Sequence, residues 1–440
     1  MTDMKNMTTL FVIFLYFLCP ILCVADTWED IYGQDTETDK WDTIEIDASS
    51  DLPDARYGHS MVTCNNKIYI ACGINYDRLF SDIGRENRLL SDIGRDNYLL
   101  SDIWRIDVKD STATFTQIYK LGENDEFLGT AEHGTFVLNN KLYVLYGLMF
   151  KKDEPIHANA IPIDAIYSYD LTSDRQGWIQ EYVYDENDPE GCIPRYKFAT
   201  AAISDKIYVF GGYEFDEGKI IDGDQRFGYF SYTGGEWRFH KLPYTDGPSK
   251  RVGHTMVSVG NTLYLFGGLT HTDGLEDYED YNDLWKYDES KNAWEKIETE
   301  EGPSARCFHN MIAIDNMIFI VCGLNKSGRS IREKDVDDMW MFDTSGALYK
   351  IYPTPLGSNI FSGIARDVIM DGKIKKNRIY QWGGYSSKGL NSNRNLTRYT
   401  IKAYTAPTDE ETGKSGCGCL GIEFVIMALL SSIILKKRNK

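Results

Sequence analysis

RVGHTMVSVGNTLYLFGG, Arg251 to Gly268, decides the fold. Its second apolar run, Leu263-Tyr264-Leu265-Phe266, does not alternate, so a strand built from it must be covered on both faces. Gly260-Asn261-Thr262 before it carries the residues a tight hairpin turn requires. Gly267-Gly268 after it permits a positive backbone dihedral and close approach of a neighbouring chain.

The pattern recurs as RYGHSMVTCNNKIYIACG from Arg56, AEHGTFVLNNKLYVLYG from Ala131, RYKFATAAISDKIYVFGG from Arg195 and RCFHNMIAIDNMIFIVCG from Arg306. A looser copy, IARDVIMDGKIKKNRIYQWGG, starts at Ile364. Each copy is followed, after a variable loop, by an aspartate-aromatic run: SDIWRID from Ser101, IYSYD from Ile166, NDLWKYD from Asn282, DDMWMFD from Asp337, and NLTRYTI from Asn395 in the last copy. Most copies add a fourth short strand such as AWEKI from Ala293. Four-strand sheets stacked face to face around an axis cover every apolar face at once, which is a β-propeller.

These residues resemble kelch repeats. Gly211-Gly212, Gly267-Gly268 and Gly383-Gly384 match the diglycine of that family, and Trp104, Trp178, Trp237, Trp285, Trp294 and Trp340 match its spaced aromatics. Cys72, Tyr146 and Cys322 stand where the first glycine is expected, and the sixth copy lacks its tryptophan. The resemblance covers about Trp41 to Tyr404 and implies an all-β, six-bladed kelch-type propeller. The sixth copy ends at Ile401 without a fourth strand, while WDTIEID from Trp41 has the fourth-strand pattern. An N-terminal strand is therefore expected to close the last blade and remove an exposed edge.

The two ends read differently. Lys5, an apolar run from Leu10 to Val24 and the small residue Ala25 predict a signal peptide over 1–25, with an uncleaved signal anchor as the alternative. The propeller is expected over 26–404 and a stalk over 405–416. Residues 417–435 are apolar except for Glu423 and long enough for a transmembrane helix. The basic tail 436–440 then predicts a type I single-pass orientation in the secretory pathway membrane or at the cell surface, with a GPI signal at Ser415-Gly416-Cys417 as rival. Asp3 and Lys5 cancel and the tail holds four cations, so the net charge of −19 leaves −23 on the body. That excludes nucleic acid and anionic lipid as partners of the bulk surface.

Motifs for chemistry are missing: no HExxH, paired CxxC, GxSxG or phosphate-binding glycine loop occurs, and no catalytic residue, metal ligand or cofactor is assigned. His59, His254 and His309 recur at one repeat position, which marks them as structural. Register makes Cys307 and Cys322 the candidate disulfide, and Asn325 and Asn395 begin glycosylation sequons. In a four-strand meander the long second-to-third loops share one rim, where binding is expected. Blades three and four offer Asp216, Glu217, Asp222, Asp224, Glu276, Asp277, Glu279 and Asp280 there, as an acidic patch for a basic partner or Ca²⁺; blade five offers Arg329 and Arg332. The expected function is non-catalytic binding of a protein or glycan through this face. The alternative, drawn from the resemblance, is a sugar oxidase or sialic-acid epimerase-like enzyme using the axial pocket.

One irregularity remains, LFSDIGRENRLLSDIGRDNYLLSDIW from Leu79. Repeat markers at 59, 134, 198, 254, 309 and 365 leave a first gap of 75, and removing two decads, 78–97, restores 55. SDIG at Ser81 and Ser91 are thus extra copies of the SDIW that opens blade one's third strand, lodged in a long-loop-face loop, with hairpin turns expected at 85–87 and 95–97. An even insert keeps the following strand in phase, and a duplication of this length is cheap to close.

Overall fold

A computed structural model describes residues 41–75, 99–122, 127, 129–150, 160–173, 177–214, 220–222, 226–271, 278–299, 301–326, 334–344, 347–353, 363–371, 374–384 and 395–401. The chain divides into two compact units, and Asp35–Ile401 is the larger. The other unit, with the expected signal peptide, stalk, membrane span and basic tail, lies outside the described residues, as does the 78–97 insert. Among the described residues no helix is long and apolar enough to cross a membrane.

The larger unit is a six-bladed β-propeller. Blade 1 is built from Ser60–Cys64, Lys67–Ala71, Ile103–Lys109 and Thr112–Tyr119, and blade 2 from Gly134–Leu138, Lys141–Leu145, Ala165–Asp170 and Ile179–Val183. Blade 3 holds Ala199–Ile203, Lys206–Phe210, Phe227–Thr233 and Glu236–Lys241; blade 4 holds Thr255–Val259, Thr262–Phe266, Leu284–Asp288 and Ala293–Ile297. Blade 5 comprises Asn310–Ile314, Met317–Val321, Asp338–Asp343 and Ala347–Pro353, and blade 6 comprises Gly363–Asp371, Ile374–Trp382 and Leu396–Ile401. First strands neighbour one another in order around the axis, and that of blade 6 returns to that of blade 1. The second strands are the most buried, as their unbroken apolar runs require: Ile68, Ile70, Leu263, Leu265, Ile318 and Ile320 are at most 2% exposed.

Closure follows the expectation and then departs from it. Trp41–Thr43 pairs antiparallel with the third strand of blade 6, Trp41 opposite Tyr399 and Thr43 opposite Thr397. Ile44 then drops into the crevice between blades 6 and 1, among Trp104, Phe115, Trp382 and Leu396. After that turn Glu45–Ile46 runs parallel to Thr112–Ala113 as a fifth strand of blade 1. WDTIEID is therefore divided between two blades, because a buried isoleucine, worth about 1.5–3 kcal/mol, fills the seam between them.

Turn chemistry explains the hairpins. Asn65 and Asn66 adopt φ of 49° and 59°, and Asn139 and Asn140 adopt 51° and 63°, the doubly left-handed turn that matches strand twist. The diglycine position also needs a positive φ, 61° at Gly211 and 64° at Gly267, and Cys72, Tyr146 and Cys322 accept it at 63°, 54° and 56°. A Cβ on Gly211 would stand 2.5 Å from the Arg251 carbonyl of the next blade. Where that distance prevails, only glycine lets blades dock.

Ladder registers correct the repeat ruler. The residue preceding each first strand is 59, 133, 198, 254, 309 and, in blade 6, 362, because blade 6's hairpin is longer and Gly363 opposes Trp382. The interval from 133 to 198 is long as well, and most of its surplus lies in blade 2's third-to-fourth turn, where eight residues separate Asp170 from Ile179, against two between Thr233 and Glu236 and four between Asp288 and Ala293. The third strand of blade 1 is Ile103–Lys109, so SDIW at 101–104 is the copy that enters the sheet.

Candidate functional site

Every repeat quoted above that begins with arginine buries it. Arg56, Arg195, Arg251 and Arg306 are 0% exposed. In each, Nε donates to the carbonyl two residues back and Nη1 to the carbonyl sixteen residues on: Cys72, Gly211, Gly267 and Cys322. In blades 1, 4 and 5 the guanidinium also meets Asp102, Asp283 or Asp338, whose carboxylate accepts the indole N–H of Trp104, Trp285 or Trp340. Burial pushes the Asp283 carboxyl up, but Arg251 and Trp285 more than offset this and hold it below the ordinary range. Blade 2 drops both partners together, with Thr130 and Ala165 at the two positions, and Thr130 Oγ1 reaches the Tyr146 carbonyl instead. This pillar fixes where each first strand begins and each second-to-third loop departs. The aspartate-aromatic run signalled it, but its arginine partner was not recognised.

Strand direction puts the starts of the first strands and the ends of the second strands on one rim. There the long loops are closed at their bases: Leu269–His271 pairs with Tyr278–Asp280, Leu324–Asn325 with Lys334–Asp335, Leu148–Phe150 with Ala160–Pro162, and single bridges join Ile74 to Leu99 and Tyr213 to Ile220. Each base is bridged in turn to the residue after the pillar position, Tyr57, Ala131, Tyr196, Val252 or Cys307. The result is a second apolar layer, with Tyr213, Val252, Leu269, Cys307, Phe308 and Leu324 on one side and Ile74, Leu99, Ala131 and Leu148 on the other.

Within this layer, one residue from each of blades 1 to 5 joins a hydrogen-bonded partial ring. The Glu132 N–H donates to the Gly58 carbonyl, Lys197 to Glu132, Gly253 to Lys197 and Phe308 to Gly253, at 2.7–3.0 Å. All five have φ between 53° and 62°. Glycine takes that conformation freely, whereas Glu132, Lys197 and Phe308 do so at about 1–2 kcal/mol each. Their side chains gather: Lys197 Nζ lies 3.7 Å from Glu132 Oε2 and 5.4, 5.7 and 5.8 Å from the ring centres of Phe308, Tyr213 and Tyr196. Lys326 Nζ lies 5.7 Å from Phe308 and from Tyr278. Burial raises the Glu132 carboxyl, opposed by Lys197 and Lys326, and burial raises Tyr196 to about 12.

The sequence-derived candidates fare unevenly against this geometry. Asp222 is exposed and pairs with Arg226 and with Lys250, and Glu279 is exposed on the Tyr278–Asp280 strand. Asp280 is not on a surface patch: it is 7% exposed and accepts the Lys326 backbone N–H, because strand alternation turns it inward. Asp216, Glu217, Asp224, Glu276, Asp277, Arg329 and Arg332 lie outside the described residues. Cys307 and Cys322 are free thiols, contrary to the expected bridge. Cys307 Sγ faces the Leu324 carbonyl in the second layer, whereas Cys322 Sγ accepts from Gln381 of blade 6. Burial, then Asp280, raises the Cys307 thiol. Asn325 is half-buried and its Nδ2 donates to the Ala305 carbonyl, while Asn395 is exposed.

The recurrent histidines are not at the mouth. His59 Nε2–H donates to the Trp382 carbonyl, 3.1 Å away across the closure seam, and His309 meets Thr255 Oγ1 of the preceding blade at 2.6 Å. Burial, aided by Arg56 and Arg306, lowers His59 and His309 to about 3, so both are neutral wedges between blades. His133 occupies the same position and is lowered to about 3 by burial; the ruler's one-residue error had hidden it. Among the described residues no group of histidine, cysteine and acidic side chains could hold a metal ion.

The family description KLHDC2/KLHL20/DRC7 Kelch-repeats domain matches residues 166–358, from the third strand of blade 2 through blade 5. The chain is 30% identical over 185 residues to N-(sulfonatooxy)prop-2-enimidothioate sulfolyase of Thlaspi arvense, covering 41% of this chain and 50% of that protein. It is 25% identical over 284 residues to the leucine-zipper-like transcriptional regulator 1 homolog of Drosophila melanogaster, 63% of this chain and 25% of the relative. Tip elongation aberrant protein 3 of Schizosaccharomyces pombe is 35% identical over 103 residues, 23% and 8% of the two chains. The chain spans half or less of the length of these relatives. Six blades, arginine pillars, diglycine seams and a family match over blades 3 to 5 and half of blade 2 together support a kelch-repeat β-propeller.

Proposed function

We propose that this propeller is a non-catalytic binding protein that engages a protein or glycan ligand through the long-loop face, centred on the axial mouth. The ring carries the reading: three blades abandon glycine for Glu132, Lys197 and Phe308 at a left-handed position, and backbone strain of this kind concentrates where side chains must be presented. The lumenal or extracellular display of the propeller, by a signal over 1–25 and a span over 417–435, is part of the same proposal and rests on the apolar patterning of those segments and the basic tail. The test is partner capture by the full membrane-bound chain, compared with a variant carrying charge reversals at Glu276, Asp277 and Glu279. Capture lost in the variant supports the reading; capture and Ca²⁺ affinity both unchanged refute the acidic patch.

A second reading is an enzyme, favoured by the lyase name of the Thlaspi arvense relative. Bound metal in the purified chain, or turnover in a screen of sugars and thiohydroximate sulfates, would establish it over the binding reading.

A further inference from the structure

Resting on the binding reading, we infer that the axial mouth is a receptor for a lysine side chain presented by a basic protein segment, with the chain's own Lys197 as the resident competitor. The walls are aromatic faces with one shielded carboxylate. Tyr196 and Tyr213 lie side by side, 5.3 Å between ring centres, and with Phe308 they surround the Lys197 ammonium. Glu132, its side chain 7% exposed, supplies the negative charge. Ring faces carry negative potential, so this box attracts ammonium and repels carboxylate.

The molecule displays the chemistry by filling the box with itself. Lys197 is a tethered ammonium whose side chain remains 25% exposed, so it has a path to solvent when another ammonium takes its place. Lys326 repeats the arrangement on the opposite side of Phe308, against Tyr278. Long-range charge favours the same class of ligand: the chain carries −19 overall, and Asp222 and Glu279 are exposed on the surrounding loops. Internal occupancy lowers apparent affinity by the fraction of time the box is open, so a box occupied nine-tenths of the time binds about tenfold more weakly than an open one.

The experiment is calorimetric titration of the full chain with hexalysine and, separately, hexaglutamate. Hexalysine is expected to bind. Lys197→Met, which keeps the stem and removes the ammonium, is expected to tighten hexalysine about tenfold. Tyr213→Leu and Glu132→Gln are expected to weaken it, with thermal midpoints reported for each variant. Lys291→Met is the charge control, since Lys291 is 72% exposed beside Asp288 on the turn rim opposite the mouth, and it is expected to change affinity less than twofold. Equal effects of Lys197→Met and Lys291→Met would reduce the result to bulk charge and overturn the inference. Preference for hexaglutamate, weakened by Lys197→Met, would overturn it too. Should neither peptide bind while the rim charge reversals still abolish partner capture, the lysine receptor falls and the long-loop face stands.

Discussion

Arg251→Thr is the sharpest test of the pillar. The wild-type guanidinium is 0% exposed and makes five hydrogen bonds, to the Ser249 carbonyl and hydroxyl, the Gly267 carbonyl and both Asp283 oxygens. Removing it strands Asp283, 16% exposed, with the Trp285 indole. Breaking one side of such a pair costs about 3–5 kcal/mol. Blade 2 shows the remedy, since it lacks both charges at Thr130 and Ala165. Arg251→Thr/Asp283→Ala should therefore be more stable than the sum of its two single variants, by about 1–3 kcal/mol in a double-mutant cycle. Acid gives a second signature. In the wild type the Asp283 pKa is depressed, so its contribution is present above the ordinary carboxylate range and is lost as pH falls through the lowered value. Without Arg251 the stranded carboxyl rises, and the defect should shrink between about pH 5 and 3 as it protonates. Urea denaturation of the full chain followed by tryptophan fluorescence at several pH values reads both effects. Strict additivity, or a penalty independent of pH, would refute the account.

Three further outcomes follow from the blades. His59, His133 and His309 are lowered from 6.5 to about 3, so the unfolded chain protonates first; stability is full above about 6.5 and falls towards pH 3 by up to about 1.4 kcal/mol per pH unit for each histidine. His309→Gln should flatten that slope in acid denaturation, and an unchanged slope would contradict it. Deleting 41–46 exposes the Leu396–Ile401 edge and vacates the Ile44 crevice, and limited proteolysis should then cut blade 6 first while sedimentation shows self-association; uniform resistance would show that the seam closes without it. Deleting 78–97 should leave the thermal midpoint unchanged or raise it by the equivalent of at most about 1–2 kcal/mol, because the loop's base is already paired.

Blade number and the closing strand were legible in the sequence because apolar runs in Ile68–Ala71, Leu263–Phe266 and Ile318–Val321 can be buried only between stacked sheets. Cross-chain partners were less so. Arg56 and Asp102 are 46 residues apart, and nothing local distinguishes a pillar arginine from a surface one. The mouth was hidden for a similar reason: Glu132, Lys197 and Phe308 look unrelated until the backbone ring shows that they hold one position. Composition alone places Asp280 in an acidic loop, while a three-residue strand turns every second side chain inward. Cys307 and Cys322 were close in register but face different neighbours.

The Ile74–Leu99 bridge, with the Leu100 N–H held by the Gly73 carbonyl, makes the adjoining loop a port. Its two ends are clamped to each other before the chain between them matters, so cargo spliced there need only bring its own termini close together. Of the five clamped loops, this one already tolerates twenty surplus residues beside a third strand that Asp102, just before it, ties to Arg56 while accepting the Trp104 indole N–H. A fluorescent protein or epitope grafted between residues 77 and 98 would be carried on the long-loop rim without loosening blade 1, and the same clamp explains how a protein can lengthen that rim by copying a decad of its own sequence.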